Sequence, residues 1–154
     1  MKLLFKQRFL SWFDSYDIYD EMGNVVFTVE GKLSWGHRLE IYDAMRNNIA
    51  TVKEEVFTFL PRCILYVGGR QIGEIQKEFT FFKPSYRLNC NDWHVQGDIL
   101  GWNYQVVNSY GYLIMQADKQ ILNWTDTYVI DTPDPANLLM SLMIVLAIDI
   151  ANCR

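Results

Sequence analysis

The chain has 154 residues, of which 50% are hydrophobic and 15% aromatic, and this composition excludes disordered, collagen-like and coiled-coil proteins. Its 14 basic residues are outnumbered by 18 acidic ones, so nucleic acid is not an expected partner. A chain of this length can bury a core without disulfides or a structural metal, and we predict a single domain over residues 1–154.

Most of the chain alternates apolar and polar residues in short runs that end at turn signals, which is typical of β-strands. In chain order, the predicted strands cover residues 3–9, 16–20, 25–30, 38–43, 49–54, 57–67, 70–79, 85–91, 93–99, 104–108, 112–118 and 127–130. About twelve strands with this spacing predict a mainly β protein, either a barrel or a sandwich.

One turn motif recurs between the predicted strands. It is seen in Tyr19-Asp20-Glu21-Met22-Gly23, in Tyr42-Asp43-Ala44-Met45-Arg46 and, more loosely, in Val107-Asn108-Ser109-Tyr110-Gly111. An Asp or Asn side chain accepts hydrogen bonds from the amides that follow it, so we predict three hairpin turns. The alternative is that these acidic loops bind a cation, but single Asp residues are ordinary at hairpin tips.

The end of the chain changes to a helical pattern of Leu, Met and Ala. Asp134 is placed as the N-cap and Pro135 at position N1 of a helix. The helical pattern that follows covers residues 136–152. Between Leu138 and Ile150 every residue is apolar except Ser141 and Asp149. A helix that is apolar on all sides is either buried in protein or placed in a membrane.

Length favours the buried alternative for this helix. Its 13-residue apolar stretch is shorter than the roughly 20 residues that a bilayer span needs. We therefore predict a central helix about 27 Å long inside a barrel, with a membrane-inserted segment as the alternative. The residues expected to fill the interior are Leu138, Leu139, Leu142, Val145 and Leu146.

Several segments together resemble a known family. They are residues 16–27 with Glu30-Gly31-Lys32, Ile41-Tyr42-Asp43, Trp93-His94-Val95-Gln96-Gly97-Asp98 and Tyr128-Val129-Ile130-Asp131. The chain resembles the LURP-one-related proteins and their bacterial YxjI-type relatives, which are grouped with Tubby C-terminal domains and phospholipid scramblases. The resemblance implies a closed antiparallel barrel of about twelve strands around a central hydrophobic C-terminal helix. These motifs are turn and core patterns, and they indicate no particular chemistry.

The chain departs from two binding sites of that superfamily. Tubby domains bind phosphoinositides through clustered basic residues, whereas Lys77 and Lys83 here have acidic neighbours. Scramblases carry an acidic stretch before the helix, and Asp126, Asp131 and Asp134 occupy that place without forming a calcium loop. We therefore expect no metal and no cofactor.

Catalytic signatures are absent from the sequence: it has no nucleophile elbow, phosphate-binding loop, zinc-protease motif or dinucleotide fingerprint. His94 lies on a predicted strand and is expected on the barrel wall, while the role of His37 in a polar loop stays open. Adjacent strand residues face opposite sides, so Glu54 and Glu55 cannot share a substrate, and we expect Glu54 in solvent. We predict that the protein is not an enzyme.

We expect seven aromatic residues to pack in the core, with a ligand cavity or a stacking platform for nucleic acid as the alternative. They are Trp12, Phe13, Phe57, Phe59, Phe79, Phe81 and Phe82. On a strand, one of Phe81 and Phe82 is exposed, and an exposed ring beside Lys77 and Lys83 suits a membrane interface or a protein partner. We predict Lys77, Phe81, Phe82 and Lys83 as contact residues.

The cysteines Cys63, Cys90 and Cys153 are odd in number and widely spaced, which favours reduced thiols and a cytoplasmic location, with membrane association as an alternative. Two functions remain open. The first is a non-catalytic binding or scaffold domain that engages an unknown protein through its outer barrel surface and loops. The second is a peripheral protein that contacts a phospholipid membrane.

Overall fold

A computed structural model of the chain describes residues 1–5, 15–122 and 125–152, except for the side chains of residues 121, 122, 125 and 126. Twelve antiparallel strands and one C-terminal helix form the fold, which confirms the predicted fold class. The strands are β1 (Lys2–Phe5), β2 (Ser15–Tyr19), β3 (Val25–Lys32), β4 (Arg38–Asp43), β5 (Asn48–Glu55), β6 (Arg62–Val67), β7 (Arg70–Lys77), β8 (Tyr86–Leu88), β9 (His94–Asp98), β10 (Asn103–Val107), β11 (Leu113–Leu122) and β12 (Thr125–Asp131).

The strands form a nearly closed barrel. Their hydrogen-bonded order is β8-β7-β6-β5-β4-β3-β2-β1-β12-β11-β10-β9, so strands adjacent in sequence pair with each other, except β8 with β9, and the first strand pairs with the last. Strands β8 and β9, at the two ends of this order, lie beside each other without a hydrogen-bonded ladder. Alternate residues point inward. The fully buried ones include Leu3, Ile18, Val29, Ile41, Val52, Leu65, Ile75, Val106, Met115 and Ile130.

The C-terminal helix fills the barrel. A 3₁₀ turn, Pro135–Asn137, leads into α1 (Leu138–Asn152), and the Asp134 side chain accepts a hydrogen bond from the Ala136 N–H at 3.0 Å. Leu138, Leu142 and Leu146 are buried, while Leu139 is half-buried. The segment Pro135–Asn152 has the length and composition of a membrane span, but 67% of it is buried inside the protein.

The three predicted hairpin turns share one geometry. The Asp20 and Asp43 carboxylates and the Asn108 side-chain oxygen each accept hydrogen bonds from two backbone amides, at 2.9 to 3.0 Å. The fourth residue of each turn has positive φ: 83° at Gly23, 68° at Arg46 and 85° at Gly111. This is the type I turn with a bulge that commonly joins antiparallel strands.

Three predicted strands extend too far, and in two of them the difference concerns aromatic residues. The strand predicted at 85–91 covers only Tyr86–Leu88. The strand predicted at 57–67 begins at Arg62, because Phe57 has a φ of 63° and Pro61 lacks the N–H that a ladder needs. The strand predicted at 70–79 ends at Lys77. Residues 56–61 and 78–85 are therefore loops.

Candidate functional site: the aromatic end of the barrel

The two ends of the barrel differ in the loops that they carry. Because antiparallel strands reverse direction at each connection, successive loops leave the barrel at alternate ends. Loops 33–37, 56–61, 78–85 and 99–102 leave at one end, which we call the aromatic end. The turns at 20–24, 44–47, 68–69, 89–93 and 108–112 leave at the other end, which we call the acidic end.

Every described loop of the aromatic end exposes large apolar side chains. Their exposed fractions range from 62% to 97%, which is unusual for Phe and Trp in a folded domain. These residues are Leu33, Trp35, Phe57, Phe59, Phe79, Phe81, Phe82 and Leu100. Six aromatic rings thus project from three separate loops at one end of the protein.

Loop 78–85 is organised by contacts within itself. The Glu78 N–H donates to the Ser85 carbonyl at 2.8 Å, and the Thr80 hydroxyl donates to the Lys83 carbonyl at 2.5 Å. Phe79 and Phe81 form an edge-to-face pair with ring centroids 5.3 Å apart. These contacts close the base of the loop and leave its rings outside.

Loop 56–61 is tied to loop 78–85 at its base. The Lys77 N–H donates to the Pro61 carbonyl at 2.8 Å, which joins the start of one loop to the end of the other. The Thr58 hydroxyl donates to the Glu55 carbonyl at 3.4 Å. Phe57 and Phe59 are 93% and 91% exposed, so these bonds hold a loop whose rings point away from the barrel.

Loop 33–37 is fastened to β5 through an inward-facing histidine. His37 Nδ1 lies 2.5 Å from Glu54 Oε2, and both side chains are largely buried. The expectation that Glu54 is in solvent was wrong, because Glu54 shares the inward face of β5 with Ala50 and Val52 and meets His37 there. The loop's outward residues, Leu33 and Trp35, are left without a charged neighbour in their own loop.

Trp102, at the end of the loop that carries Leu100, belongs to a buried aromatic cluster. Trp102 has a φ of 54°, and its ring lies 4.6 Å from that of Tyr128 and 5.8 Å from that of Phe5. The Trp102 N–H donates to the Ile99 carbonyl at 3.3 Å, which closes the turn. Loop 99–102 therefore presents Leu100 on a rigid base.

Charge divides unequally between the two ends. Counted over the described loops and the strand residues that adjoin them, the aromatic end has more basic than acidic residues, and the acidic end has the reverse. At the aromatic end these are Lys32, Arg38, Arg62, Lys77 and Lys83 against Glu55, Glu78 and Asp98. At the acidic end they are Lys2, Arg46 and Arg70 against Asp20, Glu21, Asp43, Asp92, Asp131 and Asp134.

The structure places all four predicted contact residues at the aromatic end. Phe81 and Phe82 are 84% and 97% exposed, so the expectation that only one of them faces solvent was wrong, because the segment is a loop and not a strand. Within the described part of the chain, neither Lys77 nor Lys83 forms an ion pair.

Core packing is contradicted for the five predicted aromatic residues that the structure describes, because all of them are exposed. Trp12 and Phe13 lie outside the described residues.

Sequence reasoning missed Leu33, Trp35 and Leu100. Alternate loops of an antiparallel barrel lie at the same end. Counting the predicted strands would therefore have placed these three residues at the same end as Phe57 and Phe82.

Other polar features of the fold serve local structure. A shallow groove of about 310 Å³ on the outer wall contains Glu40, whose carboxylate already accepts hydrogen bonds from Arg38, Asn48 and Thr51. Burial opposes ionisation of Glu40, but these hydrogen bonds outweigh it and lower its pKa. The groove therefore has its central charge satisfied by the protein itself.

Buried polar groups also lie beside the central helix. Burial, and then the nearby charge of Asp149, raise the pKa of Tyr104 well above its usual value. The Tyr86 hydroxyl donates to the side-chain oxygen of Asn152. Among the described residues, no group of three or more His, Cys, Asp or Glu side chains is arranged to hold a metal ion.

Comparison with known proteins places the chain in a family. A family model described as LURP-one-related matches residues 1–149. The chain belongs to the LURP-one-related family. Over 150 residues, this LURP-one-related chain is 26% identical to the uncharacterised protein YxjI of Bacillus subtilis (strain 168), an alignment that covers 97% of this chain and 92% of YxjI.

A solved structure has the same fold as this LURP-one-related chain. It is the X-ray structure of a protein from Arabidopsis thaliana, with a TM-score of 0.61 and 16% sequence identity, and the match covers 96% of this chain and 91% of that one. At this identity the likeness concerns the fold alone. The family and the fold do not specify an activity. The exposed apolar residues of the aromatic end are the feature of the chain that bears on its function.

Proposed function

We propose that this LURP-one-related domain is a non-catalytic binding domain that engages its target through the aromatic end. One observation carries the proposal: six aromatic rings and two leucines, drawn from four loops, are exposed at the same end of the barrel. Contiguous exposed apolar surface in a soluble domain usually marks an interaction site.

The energy available from this surface is large enough for binding. Burying a Phe or Leu side chain stabilises a complex by about 1.5–3 kcal/mol, so three rings offer roughly 5–9 kcal/mol before the costs of association. Rings held by closed loop bases lose little conformational freedom on binding, which favours their use as anchors.

The same residues support a role without catalysis. Phe, Trp and Leu side chains supply no acid, base or nucleophile, and the nearby His37 faces inward onto Glu54. A reducing, intracellular location accompanies this proposal, because the three cysteines, Cys63, Cys90 and Cys153, are odd in number and widely spaced in the sequence.

Photo-crosslinking in living cells tests the choice of surface. Benzoylphenylalanine replaces Phe59 or Phe82 at the aromatic end and, as a matched control, Tyr110 at the acidic end, which is 83% exposed. We expect adducts from Phe59 and Phe82 positions and none from the Tyr110 position. Equal adducts from both ends, or none from the aromatic end, would contradict the proposal.

A further inference from the structure

We infer that the target of the aromatic end is an anionic phospholipid membrane, into whose interface the loop tips insert; this inference rests on the proposed function. A membrane is the class of partner that best matches the aromatic end. Three features of the surface support the inference: its shape, the absence of charge from three of its four loops, and the distribution of charge around it.

The shape of the surface is convex. The apolar residues lie on separate loops and are 62–97% exposed, so they project from the barrel instead of lining a groove. Anchors at protein interfaces occupy pockets of matching shape, with about one hydrogen bond for each 100–200 Å². A bilayer requires no matching pockets, only apolar side chains that face it from the same end of the protein.

Charge is absent where insertion would penalise it. Loops 33–37, 56–61 and 99–102 contain no Lys, Arg, Asp or Glu. The histidine of loop 33–37 faces Glu54 and not solvent. A charged side chain in the hydrocarbon region costs several kcal/mol, so these three loops avoid the main penalty of insertion.

Polar groups of the loops are partly satisfied within the protein. Thr58 donates to the Glu55 carbonyl, and Thr80 donates to the Lys83 carbonyl. Backbone and hydroxyl groups must find partners when water is withdrawn, and these contacts already provide some of them. Trp, Phe and Leu are also the apolar residues that interfacial segments bury at the boundary between headgroups and acyl chains.

The distribution of charge orients the domain toward an anionic surface. Lys77 ends β7 and Lys83 follows Phe82 in loop 78–85, so both amines are available to anionic headgroups when the rings insert. Acidic residues predominate at the opposite end of the barrel. An anionic surface therefore attracts the aromatic end and repels the acidic end, which turns the domain so that its rings face the membrane.

Vesicle co-sedimentation tests the inference with the full chain. The probes are phosphatidylcholine vesicles with and without about one third phosphatidylglycerol. In the rim variant, Phe57→Ser, Phe59→Ser and Phe82→Ser are combined; in the control variant, Met22→Ser, Met45→Ser and Tyr110→Ser change equally exposed residues at the acidic end. All six positions are more than 80% exposed, so both variants are expected to fold.

We expect the native chain to bind the anionic vesicles. The rim variant should bind at least about 100-fold more weakly, and the control variant should keep its affinity within about twofold. The double variant Lys77→Gln, Lys83→Gln should lose roughly 25-fold on anionic vesicles, about fivefold per charge, and little on neutral ones.

The outcomes separate this inference from the proposed function. Absence of binding to both vesicle types overturns the membrane inference, while protein adducts from the Phe82 position would still support the aromatic end as a binding surface. Binding that the rim variant and the control variant reduce equally also overturns the inference. Lipid adducts at Phe59 or Phe82, together with selective loss in the rim variant, support both.

Discussion

His37 Nδ1 lies 2.5 Å from Glu54 Oε2, and the Glu54 backbone N–H donates to the His37 carbonyl at 2.7 Å. The two contacts fasten loop 33–37 to strand β5. Gly36 contributes to the close fit, because a Cβ at this position would lie 2.9 Å from Val56. The exposed Trp35 is thus held on a loop with a fixed base.

Removing the imidazole tests this contact. We expect His37→Ala to lower the free energy of unfolding by about 1–3 kcal/mol, because the largely buried Glu54 carboxylate loses a hydrogen-bonding partner. Urea unfolding at neutral pH measures the change. His94→Ala is the matched control, since His94 is exposed on β9 and should cost less than about 0.5 kcal/mol. Equal losses from the two variants would contradict the prediction.

The hairpin turns predict a dependence of stability on pH. Hydrogen bonds, the largest from the Asn47 amide, hold the pKa of Asp43 below its usual 3.8. A carboxyl whose pKa is lower in the folded state stabilises the protein above the unfolded pKa, about 3.9, and this stabilisation is lost as the pH falls through the folded pKa.

The chain itself supplies the matched variant for this turn. Asn108 makes the same two backbone hydrogen bonds without a charge, so Asp43→Asn should keep the turn. We expect Asp43→Asn to lower the urea midpoint at pH 7, with the difference closing as the pH falls through the lowered folded-state pKa of Asp43. The reverse change, Asn108→Asp, should make stability more sensitive to acid. A difference between Asp43→Asn and the native chain that does not shrink as the Asp43 carboxyl becomes protonated in acid would contradict this explanation.

Most of the fold follows from local patterns in the sequence. Period-two alternation places Val29, Ile41 and Val52 inside the barrel, and a turn that begins with Asp43 separates the strands of Ile41 and Val52. The helix follows from Asp134, Pro135 and an apolar run. These signals act over a few residues, so one sequence contains them.

The candidate site depends on relations that no single segment contains. Phe57 and Phe59 continue an alternating pattern, yet the positive φ of Phe57 ends the strand register, and their rings face solvent. Glu54 has the same parity as Val52, which indicates an inward position, whereas its charge favours solvent. The contact with His37, which is 17 residues away in the sequence, stabilises the Glu54 side chain in its inward position.

Two glycines differ in the space around them, and this predicts different costs of substitution. A Cβ at Gly97 would lie 2.8 Å from the Asn103 carbonyl oxygen and from the Tyr104 Cα, and its φ is 113°. Gly23 has a φ of 83° but open space around it. We expect Gly23→Ala to cost about 1–2 kcal/mol, from backbone strain alone, and Gly97→Ala to cost more than about 3 kcal/mol. Thermal melting of both variants measures the costs, and a smaller loss at Gly97 would contradict the packing of β9 on β10.

The buried helix gives the last prediction. Leu146 is completely buried inside the barrel, so Leu146→Asp places a carboxylate where its desolvation costs several kcal/mol, comparable to the roughly 5–15 kcal/mol that holds a domain folded. We expect this variant to lose cooperative thermal unfolding, as followed by circular dichroism. Leu146→Ala should remain folded and lose about 2–5 kcal/mol, and Leu100→Asp, at a 62% exposed loop position, should melt close to the native chain. A Leu146→Asp protein that melts cooperatively near the native temperature would contradict a helix enclosed by the barrel.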